Sequence, residues 1–392
     1  MASPMALLRS TLLRVSLALL LLAACAALAA QGAYQWQLPA WAPKPLVPVD
    51  NAMAAAKVEL GRVLFYDKRL SVNGSFSCAS CHQQARAFTD GLPVAVGATG
   101  ERHPRNSMSL ANAAYNPVLT WADPLQHALE TQALTPMFGT KPVEMGLAGR
   151  EAALTRLLAR DPRYARLFKA AFPDDAVPGT LTNLTRALAA FERTLLSFDS
   201  PYDRYRYGGD PAAISATAKR GEALFFSERM KCFHCHGGIN FTDTVAHERI
   251  EQPEVVFHNT GLYNLDGRGA YPAENTGLYA VTGKPADMGK FRAPTLRNVA
   301  VTAPYMHDGS IATLSEVLDH YAKGGRAVNP LRSDFIQGFA MSTDEKAELI
   351  AFLQSLTDSA FLTNPAFADP ALADSGAPRA PVEQMPAISG GY

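Results

Sequence analysis

Cysteine, histidine and tryptophan are scarce in this chain, whose 392 residues include five cysteines, nine histidines and three tryptophans. The chain also has no net charge, because its 36 lysines and arginines balance its 36 aspartates and glutamates. This balance argues against a protein that binds nucleic acid or another polyanion. The long apolar run at residues 15–24 falls short of the roughly 20 residues of a transmembrane helix. Apolar residues still make up 48% of the chain, enough for a buried core, and the length suits about two domains.

Residues 1–30 predict a signal peptide. Arg9 and Arg14 precede the apolar run, and small residues follow it. Two cleavage points fit the pattern. Residues 22–25 read Leu-Ala-Ala-Cys and resemble a bacterial lipobox, which would make Cys25 a lipidated N-terminus. Cleavage after residue 29 or 30 would instead release a soluble protein without Cys25. Either way the sequence predicts export to the periplasm, with or without a lipid anchor.

The other four cysteines all lie in two copies of the motif C-x-x-C-H, at residues 78–82 and 232–236. This is the attachment pattern of haem c, in which two thiols add to the haem vinyl groups and the histidine binds the iron. Chance would produce one copy in about one chain in a thousand of this composition. A zinc site needs four ligands, whereas each copy supplies three. A thioredoxin-like redox pair would leave the histidines unexplained.

We therefore expect two covalently bound haem c groups and no structural disulfide. The predicted attachment residues are Cys78, Cys81, Cys232 and Cys235, and the predicted proximal iron ligands are His82 and His236.

A short apolar pattern repeats before each motif. Residues 61–66 read Gly-Arg-Val-Leu-Phe-Tyr, and residues 221–226 read Gly-Glu-Ala-Leu-Phe-Phe. This indicates an internal duplication of a cytochrome c-like unit. The predicted fold is mainly α, with two cytochrome c-like haem domains and long loops. We place the N-terminal domain at 45–205 and the C-terminal domain at 206–365. Residues 366–392, rich in alanine and proline, predict a disordered tail.

These features resemble the bacterial dihaem cytochrome c peroxidase and MauG superfamily over most of the mature chain. Besides both C-x-x-C-H motifs, the similarity includes Asn106, fifteen residues before Trp121. It also includes Pro-Val-Glu-Met at 142–145, Thr-Leu-Arg-Asn at 295–298 and His-Asp-Gly at 307–309. Within the superfamily the chain most resembles the MauG-like dihaem enzymes of methanobactin operons, the MbnH type. That similarity rests on residues 119–124, 136–139 and 200–203.

The resemblance implies a second ligand for the iron of the second haem, fourteen residues beyond the histidine of His-Asp-Gly. Peroxidases of the superfamily carry methionine there, and MauG-like members carry tyrosine. Counting from His307 leads to Tyr321, on the apolar face of a helix that begins at Thr313. A buried core tyrosine is the alternative that periodicity alone favours, and Met306 and Met341 are the other candidate ligands. A tyrosinate oxygen favours high-valent iron, whereas a thioether favours the reduced state.

The first haem is expected to keep an open distal side for peroxide. The resemblance places Gln132, Pro136 and Glu144 around it. Glu144 is the candidate general acid and base that moves a proton between the two peroxide oxygens, and a surface carboxylate is the alternative. Trp121 resembles the tryptophan that couples the two haems, with a large core residue as its alternative.

The resemblance also implies a calcium site between the haems, formed by Asn106 and the carbonyls of Thr302 and Pro304. His307 is expected to bond a haem propionate or to brace this loop. The predicted function is an exported enzyme that uses hydrogen peroxide to form a high-valent dihaem state. That state would oxidise a residue, a tryptophan, of a secreted partner protein.

Two other functions stay open at this point. The first is reduction of peroxide with electrons from a small redox protein such as a cytochrome c. The second is a non-enzymatic dihaem electron carrier with both irons six-coordinate, against which an open first haem argues.

Overall fold

The computed structural model describes residues 34–371. The predicted signal peptide with Cys25, and residues 372–392 of the predicted tail, therefore lie outside the described residues. Helices dominate what is described, and the only sheet there pairs two strands of two residues each, so the prediction of a mainly α protein is confirmed. None of the helices within 34–371 is long and apolar enough to cross a membrane.

The described α-helices and strands are named here in chain order. The helices are α1 (Ala55–Tyr66), α2 (Cys78–Cys81), α3 (Leu129–Gln132), α4 (Leu134–Phe138), α5 (Glu151–Arg160), α6 (Pro162–Ala171), α7 (Leu181–Glu192), α8 (Pro201–Arg206), α9 (Ala216–Phe225), α10 (Tyr279–Thr282), α11 (Leu314–Ala322), α12 (Thr343–Ser355) and α13 (Ser359–Thr363). The strands are β1 (His258–Asn259) and β2 (Lys290–Phe291), which pair antiparallel.

A hydrophobic core beside the first C-x-x-C-H motif is built around the crossing of α1 and α7. Gly61 allows this crossing, because a Cβ atom there would lie 1.9 Å from the carbonyl oxygen of Ala187. The rings of Phe65 and Phe191, one on each helix, meet edge to face with centroids 5.3 Å apart. The helix backbones thus approach closely enough for large side chains to fill the space on both sides.

A second core beside the other motif repeats this geometry with α9 and α12. A Cβ atom on Gly221 would lie 1.9 Å from the carbonyl oxygen of Glu348. The rings of Phe225 and Phe352 have centroids 5.0 Å apart. Gly61 and Phe65 therefore correspond to Gly221 and Phe225, which are the repeated positions that the sequence shows at 61–66 and 221–226.

Replacing Gly221 with alanine is expected to lower the free energy of unfolding by about 1–3 kcal/mol, because the added methyl group forces α9 and α12 apart. Gly61→Ala is expected to act in the same way on the first core. Gly179→Ala is the matched control, since nothing lies within 4 Å of a Cβ atom added there. Denaturant titration measures all three. An unchanged free energy for Gly221→Ala would mean that the close crossing contributes nothing to stability.

The end of the described chain returns to the first core. Phe361 of α13 and Phe367 are both buried in it, and the Tyr66 hydroxyl donates to the carbonyl of Phe367 at 2.7 Å. Gln84 Nε2 donates to the carbonyl of Asn364 at 2.8 Å. The expected boundary at residue 365 therefore differs from the observed packing, because a stretch of apolar residues does not show in sequence which core it will join.

Long loops connect some of the helices, and residues 82–128 and 226–278 contain no α-helix. A buried ion pair ties one loop to α8, with Arg297 Nη1 donating to Asp203 Oδ2 at 2.8 Å. The two side chains are only 1% and 2% exposed. Breaking such a buried pair on one side is strongly destabilising, so the loop has a fixed position. Residues of these loops line a cavity beside the second motif.

Candidate functional site

The two motif histidines are held in the same way. His82 Nδ1 lies 2.7 Å from the carbonyl oxygen of Phe88, and His236 Nδ1 lies 3.1 Å from that of Phe241. A carbonyl accepts a hydrogen bond, so the proton is on Nδ1 and Nε2 is free to bind a metal. Burial lowers the pKa of both histidines, which favours the neutral ring that a metal ligand needs.

Phe88 and Phe241 adopt left-handed backbone conformations, with φ of 63° and 50°. This conformation is costly for a bulky residue and persists only where the surroundings enforce it. Here each ring is buried in a core while its carbonyl turns towards the histidine. A sequence signal for this arrangement was overlooked, since Phe-Thr-Asp follows both motifs, at 88–90 and 241–243.

The second motif opens onto an apolar cavity that also contains Tyr321. His236, Cys232 and Cys235 line this cavity together with Tyr321 of α11. The Thr313 side chain and Glu316 form a capping box that starts α11 where the sequence predicts it. Within residues 34–371 the Tyr321 hydroxyl has no hydrogen-bond partner. Burial raises the pKa of Tyr321, so its phenol stays neutral unless a cation binds it.

The two methionines proposed as alternative ligands lie in different places. Met306 lines the same cavity as Tyr321, whereas Met341 packs against the second core.

Trp121 lines the same cavity, along with the three residues expected at a calcium site. Its Nε1 donates to the carbonyl oxygen of Asn106 at 2.9 Å, and its own carbonyl accepts from the main-chain N–H of Arg292 at 2.8 Å. Asn106 Nδ2 donates to the carbonyl of Leu92 at 2.7 Å, which leaves Oδ1 available as a ligand. Thr302 and Pro304 line the same cavity, and the calcium site itself stays a prediction.

The cavity of the second motif comes near the first motif at one residue of its lining. Met108 lines it, and the main chain of Met108 lies close enough to His82 to influence its pKa. Trp121 and Met108 therefore line the same cavity beside the second motif, and the role of Trp121 between the two haems stays a prediction.

Glu144 faces the first motif. Its negative charge contributes to the raised pKa of both the Cys78 and the Cys81 thiols. Burial raises the pKa of Glu144 itself. Pro136 is its neighbour, because the carbonyl of Pro136 accepts from the N–H of Met145 at 2.9 Å. The structure thus places Glu144 and Pro136 together.

Gln132 has a less direct relation to Glu144 than Pro136 has. It is the last residue of α3, and Ala133 separates it from α4, which contains Pro136. Within the described residues no hydrogen bond joins its side chain to Glu144.

A second carboxyl at the first motif was missed from the sequence. Glu192, at the end of α7, is 8% exposed, and its carboxyl group forms no hydrogen bond within the described residues. Burial raises its pKa to about 8, and its charge is the main electrostatic influence on Cys78. Its position was visible in principle, since Glu192 falls four residues after Leu188 and so shares the apolar face of the helix.

Glu192 should make stability depend on pH. Because its pKa in the folded protein is about 8 against an ordinary value of 4.5, the folded state holds a proton that the unfolded state releases. The free energy of unfolding is therefore expected to fall as pH rises from 4.5 to about 8. Glu192→Gln should remove this slope, and Glu254→Gln, at an exposed position, should keep it. Urea titrations at several pH values measure the slope, and equal slopes in all three proteins would contradict a buried protonated Glu192.

Known proteins resemble this chain over most of its length. Residues 55–211 match the sequence profile of the family described as di-haem cytochrome c peroxidase. The chain is 37% identical to cytochrome-c peroxidase IdrP1 of Denitromonas iodatirespirans, over 88% of this chain and 93% of that protein. It is 39% identical to methylamine utilization protein MauG of Methylorubrum extorquens, over 79% of this chain and 80% of that protein. The chain belongs to the di-haem cytochrome c peroxidase family.

A solved structure supports the same assignment. The fold matches the crystal structure of a MauG-like protein associated with microbial copper homeostasis with a TM-score of 0.84. The two chains are 48% identical, and the match covers 86% of this chain and 99% of the other. The resemblance found in the sequence is confirmed, and this family member is a dihaem oxidoreductase of the peroxidase type that acts on hydrogen peroxide.

The cavity of this peroxidase-family protein suits a haem with its anionic propionates. Arg292 lines it, is 2% exposed and forms no ion pair with a carboxylate within the described residues. His307 also lines it, and among residues 34–371 its buried Nε2 has no hydrogen-bond partner. An unpaired buried cation and an unpaired ring nitrogen are costly. A group that combines an apolar body with carboxylates would satisfy both, so the residues fit haem c.

Proposed function

We propose that this family member is a periplasmic enzyme that uses hydrogen peroxide to oxidise a tryptophan of a secreted partner protein. The observation that carries the proposal is Tyr321, whose unpartnered hydroxyl shares one cavity with His236. A phenolate oxygen stabilises oxidised iron, whereas a thioether would stabilise reduced iron. The second centre would therefore retain an oxidising equivalent instead of cycling through a reduced state.

The residues that would hold the two haem groups are Cys78, Cys81 and His82 at the first motif, and Cys232, Cys235 and His236 at the second, with Tyr321 as a further ligand there. When bound, these groups would supply the redox chemistry, in which each peroxide reduced requires two electrons from the partner protein.

Glu144 would transfer a proton between the two oxygens of peroxide at the first motif. Cleavage of the O–O bond requires a proton to pass from one peroxide oxygen to the other, and a carboxyl can accept it and give it back. The raised pKa of Glu144 brings the group closer to neutral pH, where both steps are accessible. The carbonyl of Pro136 accepts a hydrogen bond from Met145, the residue after Glu144. Gln132 precedes Pro136 by four residues, so both side chains would shape the space that peroxide enters.

Trp121 provides the connection between the two motifs. Its hydrogen bonds to Asn106 and Arg292 fix the indole within the cavity. An indole in this place would couple the two haems, so that oxidising equivalents are shared. A calcium ion bound by Asn106 and the carbonyls of Thr302 and Pro304 would hold this segment in position.

Similarity to a MauG-like protein of copper homeostasis, at 48% identity, supports partner oxidation over simple peroxide removal. The second candidate is peroxide reduction with electrons from a small cytochrome c. Its support is the 37% identity to a cytochrome-c peroxidase and the presence of Met306 in the same cavity as Tyr321.

Mass spectrometry would distinguish the two functions. The haem-loaded protein is mixed with hydrogen peroxide and with a candidate small secreted protein that contains tryptophan, or with a reduced small cytochrome c in place of that protein. We expect oxygen-containing products at a tryptophan of the secreted protein and only slow oxidation of the cytochrome. Rapid, sustained cytochrome oxidation without modification of the secreted protein would favour the second candidate.

A further inference from the structure

A buried tyrosine that none of the steps above uses lies on the proximal side of the second motif. Tyr202 of α8 is 4% exposed, and its ring centroid lies 5.5 Å from that of Phe241. The carbonyl of Phe241 accepts the hydrogen bond from His236. One aromatic ring and one hydrogen bond therefore separate Tyr202 from the proximal ligand of the second haem.

The hydroxyl of Tyr202 donates to Glu222 Oε1 at 3.1 Å. A phenol gives up an electron readily only if its proton leaves at the same time, and a hydrogen-bonded carboxylate is a ready acceptor. Burial, reinforced by the charge of Glu222, raises the pKa of Tyr202. The proton therefore stays on Tyr202 until an electron is removed, and Glu222 is placed to receive it.

The position of Tyr202 is tightly determined. Ser200 and Asp203 form a capping box around the first turn of α8, and the buried ion pair with Arg297 holds Asp203 in turn. On the other side, the ring of Phe352 meets that of Tyr202 at a centroid distance of 5.4 Å. Such fixed surroundings limit the reorganisation that accompanies gain or loss of an electron.

Other buried tyrosines lack this combination. The Tyr115 hydroxyl donates to the main-chain carbonyl of Pro43 at 2.6 Å, and a carbonyl does not take up a proton. Tyr164 does donate to a carboxylate, Asp67, but Asp67 also pairs with Arg69, and this group belongs to the first core. A carboxylate already paired with a guanidinium is a poorer proton acceptor.

We propose that Tyr202 is a third redox site, which stores one oxidising equivalent of the enzyme as a neutral tyrosyl radical. The inference rests on the proposed function, because hydrogen peroxide must first oxidise the dihaem centre by two electrons. Tyr202 then transfers one electron to that centre and its hydroxyl proton to Glu222. An electron from the partner protein later returns Tyr202 to the phenol, and Glu222 returns the proton.

The surroundings of Tyr205 explain why the radical remains on Tyr202. The Tyr205 ring is next in the direction of the surface, with its centroid 6.3 Å from that of Tyr202. The ammonium of Lys219 lies 5.1 Å from the Tyr205 centroid. A positive charge over an aromatic ring is stabilised by its electrons, so it opposes removal of one of them. Tyr202 is thus the easier of the two to oxidise and is shielded from solvent.

Electron paramagnetic resonance of the haem-loaded protein, freeze-quenched after addition of hydrogen peroxide, tests the proposal. We expect a tyrosyl radical whose hyperfine pattern narrows in protein made with ring-deuterated tyrosine. Tyr202→Phe should abolish it. Glu222→Gln keeps a hydrogen-bond acceptor but is a far weaker base, and should lower the radical yield about tenfold or more. Tyr115→Phe is the control and should retain the full signal.

The outcomes separate the radical from the function on which it rests. An undiminished signal in Tyr202→Phe, or no tyrosyl radical in the parent protein, would overturn the third redox site. Modification of the partner protein, followed by mass spectrometry in the same samples, reports on the proposed function independently. If Tyr202→Phe were to fold poorly, Glu222→Gln alone decides, since a radical of parent yield there would exclude Glu222 as the proton acceptor.

Discussion

Replacing Tyr321 with phenylalanine is expected to reduce oxidation of the partner protein by at least about 100-fold, while both haems stay attached through their cysteines. The hydroxyl is the only group lost, and its oxygen would stabilise the oxidised form of the second centre. Losing even an outer partner of a metal ligand typically costs about 10- to 100-fold, so losing the ligand itself should cost more. Because the Tyr321 hydroxyl has no hydrogen-bond partner within residues 34–371, the substitution leaves no buried donor or acceptor unsatisfied in the protein.

Near-infrared absorption after peroxide addition and mass spectrometry of the partner measure this effect. Tyr321→His, which offers a different ligand, is also expected to spoil the charge-shared oxidised state. Tyr305→Phe is the matched control, since Tyr305 lines the same cavity but its hydroxyl donates to the carbonyl of Val299 at 3.1 Å. Parent-like partner oxidation in Tyr321→Phe would remove Tyr321 from the chemistry and would favour Met306 as the ligand.

Replacing Glu144 with glutamine is expected to slow the reaction with hydrogen peroxide by about 10²- to 10⁴-fold, the usual range for loss of a general acid or base. The amide preserves the size of the side chain but cannot carry the proton between the peroxide oxygens. Binding of the two haems should be unaffected. Within the described residues no hydrogen bond joins Glu144 to the first motif, and only its charge acts on the two thiols.

The pH dependence of the same reaction gives a second measurement. Burial raises the pKa of Glu144 above its ordinary value of 4.5, and the group must be ionised to accept a proton. The rate for the parent protein should therefore increase with pH through this raised pKa, whereas the rate for Glu144→Gln should lack that increase. Stopped-flow absorbance at several pH values follows both. If Glu144→Gln kept the parent rate while Glu192→Gln lost it, Glu192 would be the proton carrier.

The parts of this protein that could be predicted from sequence depend on short spacings or on counted positions. Haem attachment needs two cysteines and a histidine within five residues, so both motifs could be recognised without any tertiary information. The family resemblance implied Tyr321, because it places a ligand fourteen residues beyond His307 and one turn and one helix join the two positions. The structure places Tyr321 in the cavity of His236, and its role as a ligand stays a prediction.

Other features depend on contacts between distant parts of the chain. The Tyr202–Glu222 hydrogen bond joins α8 to α9, and nothing in either helix alone indicates it. Nothing in the sequence distinguishes Arg292 from an ordinary surface arginine. The loops around it exclude water, and within the described residues no carboxylate pairs with it. Phe367 lay in a segment predicted to be disordered, and it is buried because α13 turns back to the first core.

The sequence by itself determined the family, the two attachment motifs, the helical class and the internal duplication, because each of these is encoded in residues that lie close together in the chain. Tertiary structure alone decided which carboxyls lose their water, which polar atoms remain unpaired and which aromatic rings come into contact. The physical reason is that burial removes solvent from a side chain only when residues far apart in sequence close around it. The resulting changes in pKa and in redox properties therefore have no signature in the local sequence.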